Sequence, residues 1–361
     1  MWEVYIYGAK SIALGVYRAM QTLYASHKVE GFLVSSLNGN PSMLADLPVR
    51  TLDEFVSIIT ADEKKDIHIL IAIPENIHRE IVMYLEAKGF TQHTCITSSI
   101  EAELMERYFE ALRGFPSLHQ LPKGDVASKL EVFSAKFHRD ASLQGKYEMS
   151  EWIIPIQVGA ALTDVRVAEY QDNSGENISD KNVNYCELTA LYWLWKNRLV
   201  QADLDNLEYY GLCHYRRVLD VSEDDILRLK ENDVDVILPF PMLHEPSAFE
   251  HHTRYVKDSD WNAMCKALEE LHPEYAREMD KVFSGPYLYN YNMLIAKPQA
   301  LAEYCAWLFP ILERVEELSE PKGWERSDRY IGYLGENLLT LYFMYNKDRY
   351  KIVHTGRRML V

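Results

Sequence analysis

His214, Tyr215, Arg216 and Arg217 follow directly on an apolar run, Tyr209-Tyr210-Gly211-Leu212-Cys213. The run reads as a buried strand, so the cationic row falls at its carboxyl end, where open α/β sheets bind ligands. Planar guanidinium groups match phosphate oxygens two at a time, and a histidine beside them can serve as metal ligand, phosphate donor or acid/base group. A departing diphosphate needs its developing negative charge neutralised, and this row could do that. The loop Tyr170 to Asn184 carries Asp172, Asn173, Asn177, Ser179, Asp180 and Asn182. Short amide and carboxylate side chains bond well to ribose, sugar hydroxyls and base edges, but they also build turns and helix caps. Three D-x-D triplets occur: Asp203-Leu204-Asp205, Asp233-Val234-Asp235 and Asp258-Ser259-Asp260. The first two precede their strands, at the wrong end for a metal on a diphosphate. Surface charge accounts better for all three.

The elements that must position these residues form two sets. Residues 1–115 read as strand-helix repeats, with strands at Val4–Ala9, Val29–Ser35, Asp66–Pro74 and Thr94–Thr97. Ser11 is expected to cap the first helix, and Gly89 to end a later one. Alternation of this kind implies a small Rossmann-like parallel sheet with right-handed crossovers. Its first loop, Gly8-Ala9-Lys10-Ser11, is not a G-x-G-x-x-G: the second glycine would fall on Lys10, whose side chain hinders close approach by a pyrophosphate. Residues 116–128 hold prolines and glycines and are expected to be a linker. From 129 to 361 a second mixed α/β unit is expected. Its strands lie at Leu130–Ala135, Trp152–Gly159, Tyr209–Cys213, Val234–Pro239 and Tyr289–Ala296. Helices are expected at Tyr185–Asn197, Glu223–Glu231, 260–280, Pro298–Leu318 and Glu336–Tyr345, and a short strand at Tyr350–His354.

Composition narrows the partners. The chain of 361 residues has 38 basic and 54 acidic side chains, a formal net charge of -16. That excludes broad binding to nucleic acid or to anionic membrane surfaces, which needs an excess of Lys and Arg. Hydrophobic residues make up 48% and charged residues 25%, as in a soluble globular protein. No signal peptide and no membrane-spanning run is visible, so a cytoplasmic protein is expected. The five cysteines are scattered, with no C-x-x-C, and are expected to be reduced. The 24 tyrosines suit a sugar- or base-binding site, though many must be core.

Residues 130 to 345 resemble a bacterial glycosyltransferase-like family, domain-of-unknown-function family 4422, associated with capsular and exopolysaccharide synthesis. The stretches that carry the resemblance are I-P-I-Q-V-G-A-A-L-T, Y-Q-D-N-S-G-E-N-I-S-D-K-N-V-N-Y-C-E-L, Y-Y-G-L-C-H-Y-R-R, D-V-I-L-P, Y-N-Y-N-M-L-I-A-K and C-A-W-L-F-P-I-L. The resemblance implies a GT-A-like nucleotide-diphospho-sugar transferase domain behind the Rossmann-like one. It implies that Ala135, Lys136, Gln157, Val158 and Gly159 line the nucleotide, and that Asp172, Asn177 and Asn182 contact base, ribose or sugar. His214, Tyr215, Arg216 and Arg217 then stand where such folds carry a D-x-D. Either the arginines replace the cation, Mn2+ or Mg2+, or His214 and Asp220 hold it. Transfer with inversion also needs a base for the acceptor hydroxyl, for which Glu336 is preferred over Asp328. Asn290 and Asn292 alternate with aromatics in Y-N-Y-N-M, so an extended backbone would put amides on one face and rings on the other.

The expected activity is hexosyl transfer from a nucleotide-diphosphate sugar, UDP-linked, to a capsular, exopolysaccharide or lipopolysaccharide glycan. The acceptor would be a glycan or lipid-linked glycan, met through peripheral association with membrane assembly machinery. Two other readings stand beside it: a non-catalytic nucleotide-sugar-binding or scaffold protein of polysaccharide assembly, and a nucleotide-dependent oxidoreductase centred on the first domain.

Overall fold

A computed structural model describes residues 3–201 and 206–361. The triplet Asp203-Leu204-Asp205 lies outside the described residues. The first sheet contains β1 (Glu3–Tyr7), β2 (Val29–Val34), β3 (Met43–Leu44), β4 (Leu47–Thr51), β5 (Ile67–Ile71) and β6 (His93–Cys95), in the order β3-β4-β2-β1-β5-β6. Its pairings β1/β2, β1/β5, β2/β4 and β5/β6 are parallel, as the alternation of strands and helices implies. The chain leaves β1 in one direction for β2 and β4 and returns to its other side for β5. The switch point therefore lies between β1 and β5, beyond Gly8 and Ala72.

Gly8 is required there. Its φ is +128°, and a Cβ would stand 2.5 Å from the Ala72 carbonyl oxygen. Its glycine thus serves the packing of the loop on the neighbouring strand. The helix Ser11–Leu23 follows, but Ser11 does not cap it: the capping position is Lys10, with no side-chain hydrogen bond, and the Ser11 hydroxyl points to the second domain. Thr51 and Glu54 form a reciprocal capping box at the helix Leu52–Ile58.

The second sheet has β7 (Leu130–Lys136), β8 (Ile153–Gln157), β9 (Tyr170–Gln171), β10 (Tyr209–His214), β11 (Arg217–Leu219) and β12 (Val236–Pro239). After the small pair β13 (Met242–Leu243) and β14 (Tyr287–Leu288) come β15 (Leu294–Ala296), β16 (Ile352–Thr355) and β17 (Arg357–Met359). The path is β16-β12-β15-β10-β7-β8-β9, with β11 between β10 and β17. Strand β15 runs antiparallel to both neighbours, which makes this sheet mixed. It comes close to β10 at Gly211, where a Cβ would lie 2.6 Å from the Leu294 carbonyl oxygen. Glu223–Glu231 and Pro298–Leu318 are helical over the expected residues. The expected helix 260–280 is instead three, Asp258–Leu271, Pro273–Ala276 and Met279–Phe283.

The two sheets share apolar contacts. Phe240 and Leu243 belong to the first domain's core cluster, and Phe240 stacks on Phe109 at 5.3 Å between ring centroids. Within 116–128, Ser117 bridges to His354 and Leu118 is fully buried, so this stretch is packed at its start. His119 sits between Glu106 of the first domain (Nδ1–Oε2 3.1 Å) and Asp225 of the second (Nε2–Oδ2 3.4 Å). Hydrogen bonds donated to Asp225 and Glu106 push the imidazole up to about 10. Burial pushes Asp225 up, but its bonds from His119 and Ser222 outweigh that and hold it at about 2.

Candidate active site

Strand register brings the predicted residues to one edge. His214 pairs with Ala135, Lys136 with Gln157, and Gln157 with Gln171, so β7, β8, β9 and β10 end together. His214 also pairs with Arg217 of β11, which makes Tyr215 and Arg216 a two-residue turn at that edge. Arg216, His214 and Lys136 all draw down the carboxyl of Asp140, which burial raises more strongly. Arg217 lies over the Tyr291 ring at 4.6 Å, and Arg216 over Tyr215 at 5.7 Å. Neither guanidinium has a carboxylate at salt-bridge distance among the described residues. Arg357 of β17 reaches the same Tyr291 ring at 5.7 Å and pairs with Glu101 of the first domain.

Tyr291 is the pivot of the site. Its φ of +76° and the +50° of Asn292 make a turn here, so the expected strand Tyr289–Ala296 begins only at Leu294. The alternation of amides and rings therefore does not hold: extended backbone is its premise. The turn sends Asn290 and Asn292 to two different carboxylates. Asn290 Nδ2 donates to Glu336 Oε2 at 3.0 Å, and Asn292 Nδ2 donates to Glu187 Oε1 at 2.7 Å. The Tyr291 carbonyl accepts from His214 Nε2 at 2.6 Å, and its N–H donates to Glu336.

The last helix starts earlier than the expected Glu336–Tyr345: it runs Tyr330–Tyr345, and Glu336 lies in its second turn. Burial, reinforced by the charge of Glu187, pushes its carboxyl up to about 8; the Asn290 and Tyr291 hydrogen bonds and Arg217 pull the other way. Glu187 gave no signal in the sequence. Cys186, at φ +52°, turns the chain so that Glu187 is buried with His214 Nε2 3.9 Å away. Asp328, the other base considered, is paired with Arg326.

The polar loop behaves differently. Asp172 is fully buried and accepts from Gly159 N, Ala160 N, Ser179 Oγ and Thr189 Oγ1 at 2.5–3.0 Å. Gln157 bonds to Val165 and Val167, and Asn182 to Cys186 and Thr189. Asn177 bonds to Gly175 and Ser179 within its own loop. Val158 is buried, and Gly159 takes a left-handed φ of +63° with Asn182 packed against it. These side chains hold the shape of the loop, and their polar atoms are engaged inside the chain.

Among the described residues, the side chains considered as cation ligands are engaged elsewhere. His214 Nε2 carries its proton toward Tyr291, and Asp220 stands 3.9 Å from Arg358. Asp233 and Asp235 both pair with Lys297, and Asp260 is buried against Arg326. No group of three His, Cys, Asp or Glu side chains arranged for a metal occurs among the described residues.

A cleft of about 680 Å³ opens on the far side of Tyr291 and Glu336 and is closed by the first domain. It contains His244, which the sequence did not single out. The Ser11 hydroxyl lies 3.0 Å from His244 Nδ1, and His244 Nε2 lies 3.3 Å from Asn290 Oδ1. Since Asn290 donates to Glu336 through Nδ2, its Oδ1 accepts, Nε2 of His244 carries the proton, and Ser11 donates to Nδ1. Burial keeps His244 neutral, down at about 4, and its ring neighbour His251 at about 3. A dense run of histidines, His244, His251 and His252, was the available signal.

The mixed α/β fold is like that of a solved glycosyltransferase. Residues 136–347 match the family described as Domain of unknown function (DUF4422), and the chain belongs to that family. Among solved structures it is similar to the apo structure of the bifunctional glycosyltransferase WbbM, at 24% identity and a TM-score of 0.54 over 64% of this chain. The match spans 45% of WbbM, less than half of that protein. The mannosyltransferase Ktr4p from S. cerevisiae aligns at 13% identity with a TM-score of 0.29, over 62% of this chain and 70% of its own. No curated protein matches the sequence. No helix among the described residues is long and apolar enough to cross a membrane.

Proposed function

We propose that the protein is a glycosyltransferase that moves a hexosyl group from a UDP-sugar to a glycan or lipid-linked glycan of a bacterial surface polysaccharide. The observation that carries this reading is the placement of free guanidinium groups, Arg216 and Arg217, beside Glu336, a carboxyl raised to about 8, at one sheet edge. Family membership and the WbbM-like fold support it.

The donor diphosphate lies against Arg216, Arg217 and Lys136. In the transfer step the acceptor oxygen bonds to the anomeric carbon as the bond from that carbon to the phosphate oxygen breaks. The bonding pair leaves with UDP, where the arginines meet the new charge, and the acceptor proton passes to ionised Glu336. A carboxyl near 8 has a high proton affinity, which suits a base; it is ionised in only about one-tenth of molecules at pH 7, so transfer should quicken as pH rises toward 8. No step is routed through a divalent cation.

Calorimetric titration with UDP tests the donor edge. Arg216→Ala and Arg217→Ala are each expected to weaken UDP by roughly tenfold or more, the loss of one charge-assisted phosphate contact. Unchanged affinity in both would remove the arginines from the donor site. UDP binding without UDP release from any UDP-sugar would assign the protein to binding or scaffolding instead.

A further inference from the structure

The first domain lies outside the matched family region, yet it forms one wall of the cleft in which Glu336 stands. The wall is the carboxyl edge of its parallel sheet at the β1/β5 switch point, where ligands of open α/β sheets bind. A cleft of about 680 Å³ is within the usual range for small-ligand sites.

Its chemistry is that of a carbohydrate site. The first domain presents Ser35, Ser36, Asn38 and Asn40, after β2. Asn38 is exposed, and its side-chain amide has no partner among the described residues; its backbone N–H is the group that bonds Ser36 Oγ. Across the cleft, Tyr255 and Tyr333 pack with ring centroids 5.3 Å apart, and Tyr255 is 47% exposed. Amides and hydroxyls facing aromatic rings suit a sugar, whose hydroxyls need partners and whose C–H face packs on a ring. A dinucleotide fits poorly, because Lys10 stands where a pyrophosphate needs glycine. An independent observation ties this wall to the reaction: the chain of donors Ser11, His244, Asn290 runs from the first domain to Glu336.

We infer that the interdomain cleft is the acceptor subsite, and that the first domain grips a neutral hexose unit of the acceptor beside the one that reacts at Glu336. The inference rests on the glycosyl-transfer reading for its placement of the acceptor. The donor edge and the cleft meet at Tyr291, whose ring carries Arg217 on one side while the residue lines the cleft on the other.

Saturation-transfer NMR on the full chain tests it, with the methyl glycosides of glucose, galactose, mannose and N-acetylglucosamine as probes and UDP titrated separately. At least one glycoside is expected to bind the wild type. Asn38→Trp, which fills the cleft from the first domain, and Tyr255→Ala, which removes the exposed ring, should each weaken it by about tenfold or more. Both positions are exposed, and circular dichroism and melting temperature verify that the variants fold. Binding of none of the four probes, or equal binding by both folded variants, overturns the inference. So does complete displacement of the glycoside by UDP, which would give the cleft to the donor. Wild type that binds a glycoside but neither UDP nor any UDP-sugar would sink the transfer reading alone.

Discussion

Two clusters of acids with a histidine lie in this molecule, and their electrostatics are opposite. In the first, His119 bridges Glu106 and Asp225 across the domain junction, and every shift favours charge: the imidazole rises, both carboxyls fall. In the second, Glu187 lies 3.9 Å from His214 Nε2 and its charge acts on Glu336, but Asn290 and Asn292 each donate to one of the two acids, and the Tyr291 carbonyl accepts the histidine N–H. Glu336 is left as a half-buried acid beside another acid. Complementary pairing fixes a structure, whereas two like groups held by amides leave a proton poised to move.

The comparison breaks most visibly at Glu336. Glu336→Gln keeps the Asn290 contact and removes the base, so sugar transfer measured by UDP release should fall by roughly 10²–10⁴-fold. A loss smaller than tenfold would move Glu336 to the side of the structural cluster. The reverse substitution is His119→Gln, which should lower unfolding stability by about 1–3 kcal/mol in denaturant titration, because it leaves two carboxylates without their cation.

The pH dependence of stability sharpens the contrast further. His119 and Asp225 together contribute fully between about 4 and 6.5: Asp225 loses its share as pH falls through about 2, and His119 as pH rises through about 10. Glu336 has the opposite sign to Asp225. Between its ordinary value of 4.5 and its folded value of about 8, the unfolded chain has released a proton that the folded chain keeps, so stability falls as pH rises through that window. Glu336→Gln should therefore gain in melting temperature relative to wild type from pH 5 to pH 8. A constant difference across that range would mean that Glu336 is not raised.

Much of this architecture was legible in the residues. The apolar run at Tyr209–Cys213 located β10, and the cationic row located its carboxyl edge, because burial on both faces leaves a continuous apolar signature that ends where solvent or ligand begins. Glu223–Glu231 and Pro298–Leu318 were legible over their full length. The turn at Tyr291-Asn292 was not legible, since neither residue is glycine and its left-handed backbone is imposed by tertiary contacts. The inward turn of Glu187 and the Ser11–His244 contact were hidden for a related reason. Both depend on segments far apart in the chain, and local pattern carries no record of what a side chain will face.

Strands β16 and β17 follow the last family-matched residue, 347, yet β17 supplies Arg357 to the Tyr291 ring and to Glu101. Of all parts of the site they are the last to leave the ribosome. The sheet of the first domain can form early in synthesis, and Phe240 and His119 can join it to the second, but the Arg357–Glu101 pair cannot form until these strands have emerged. A nascent chain stalled at 347 would hold Glu336 and the two adjacent arginines without the third, Arg357, on the Tyr291 ring.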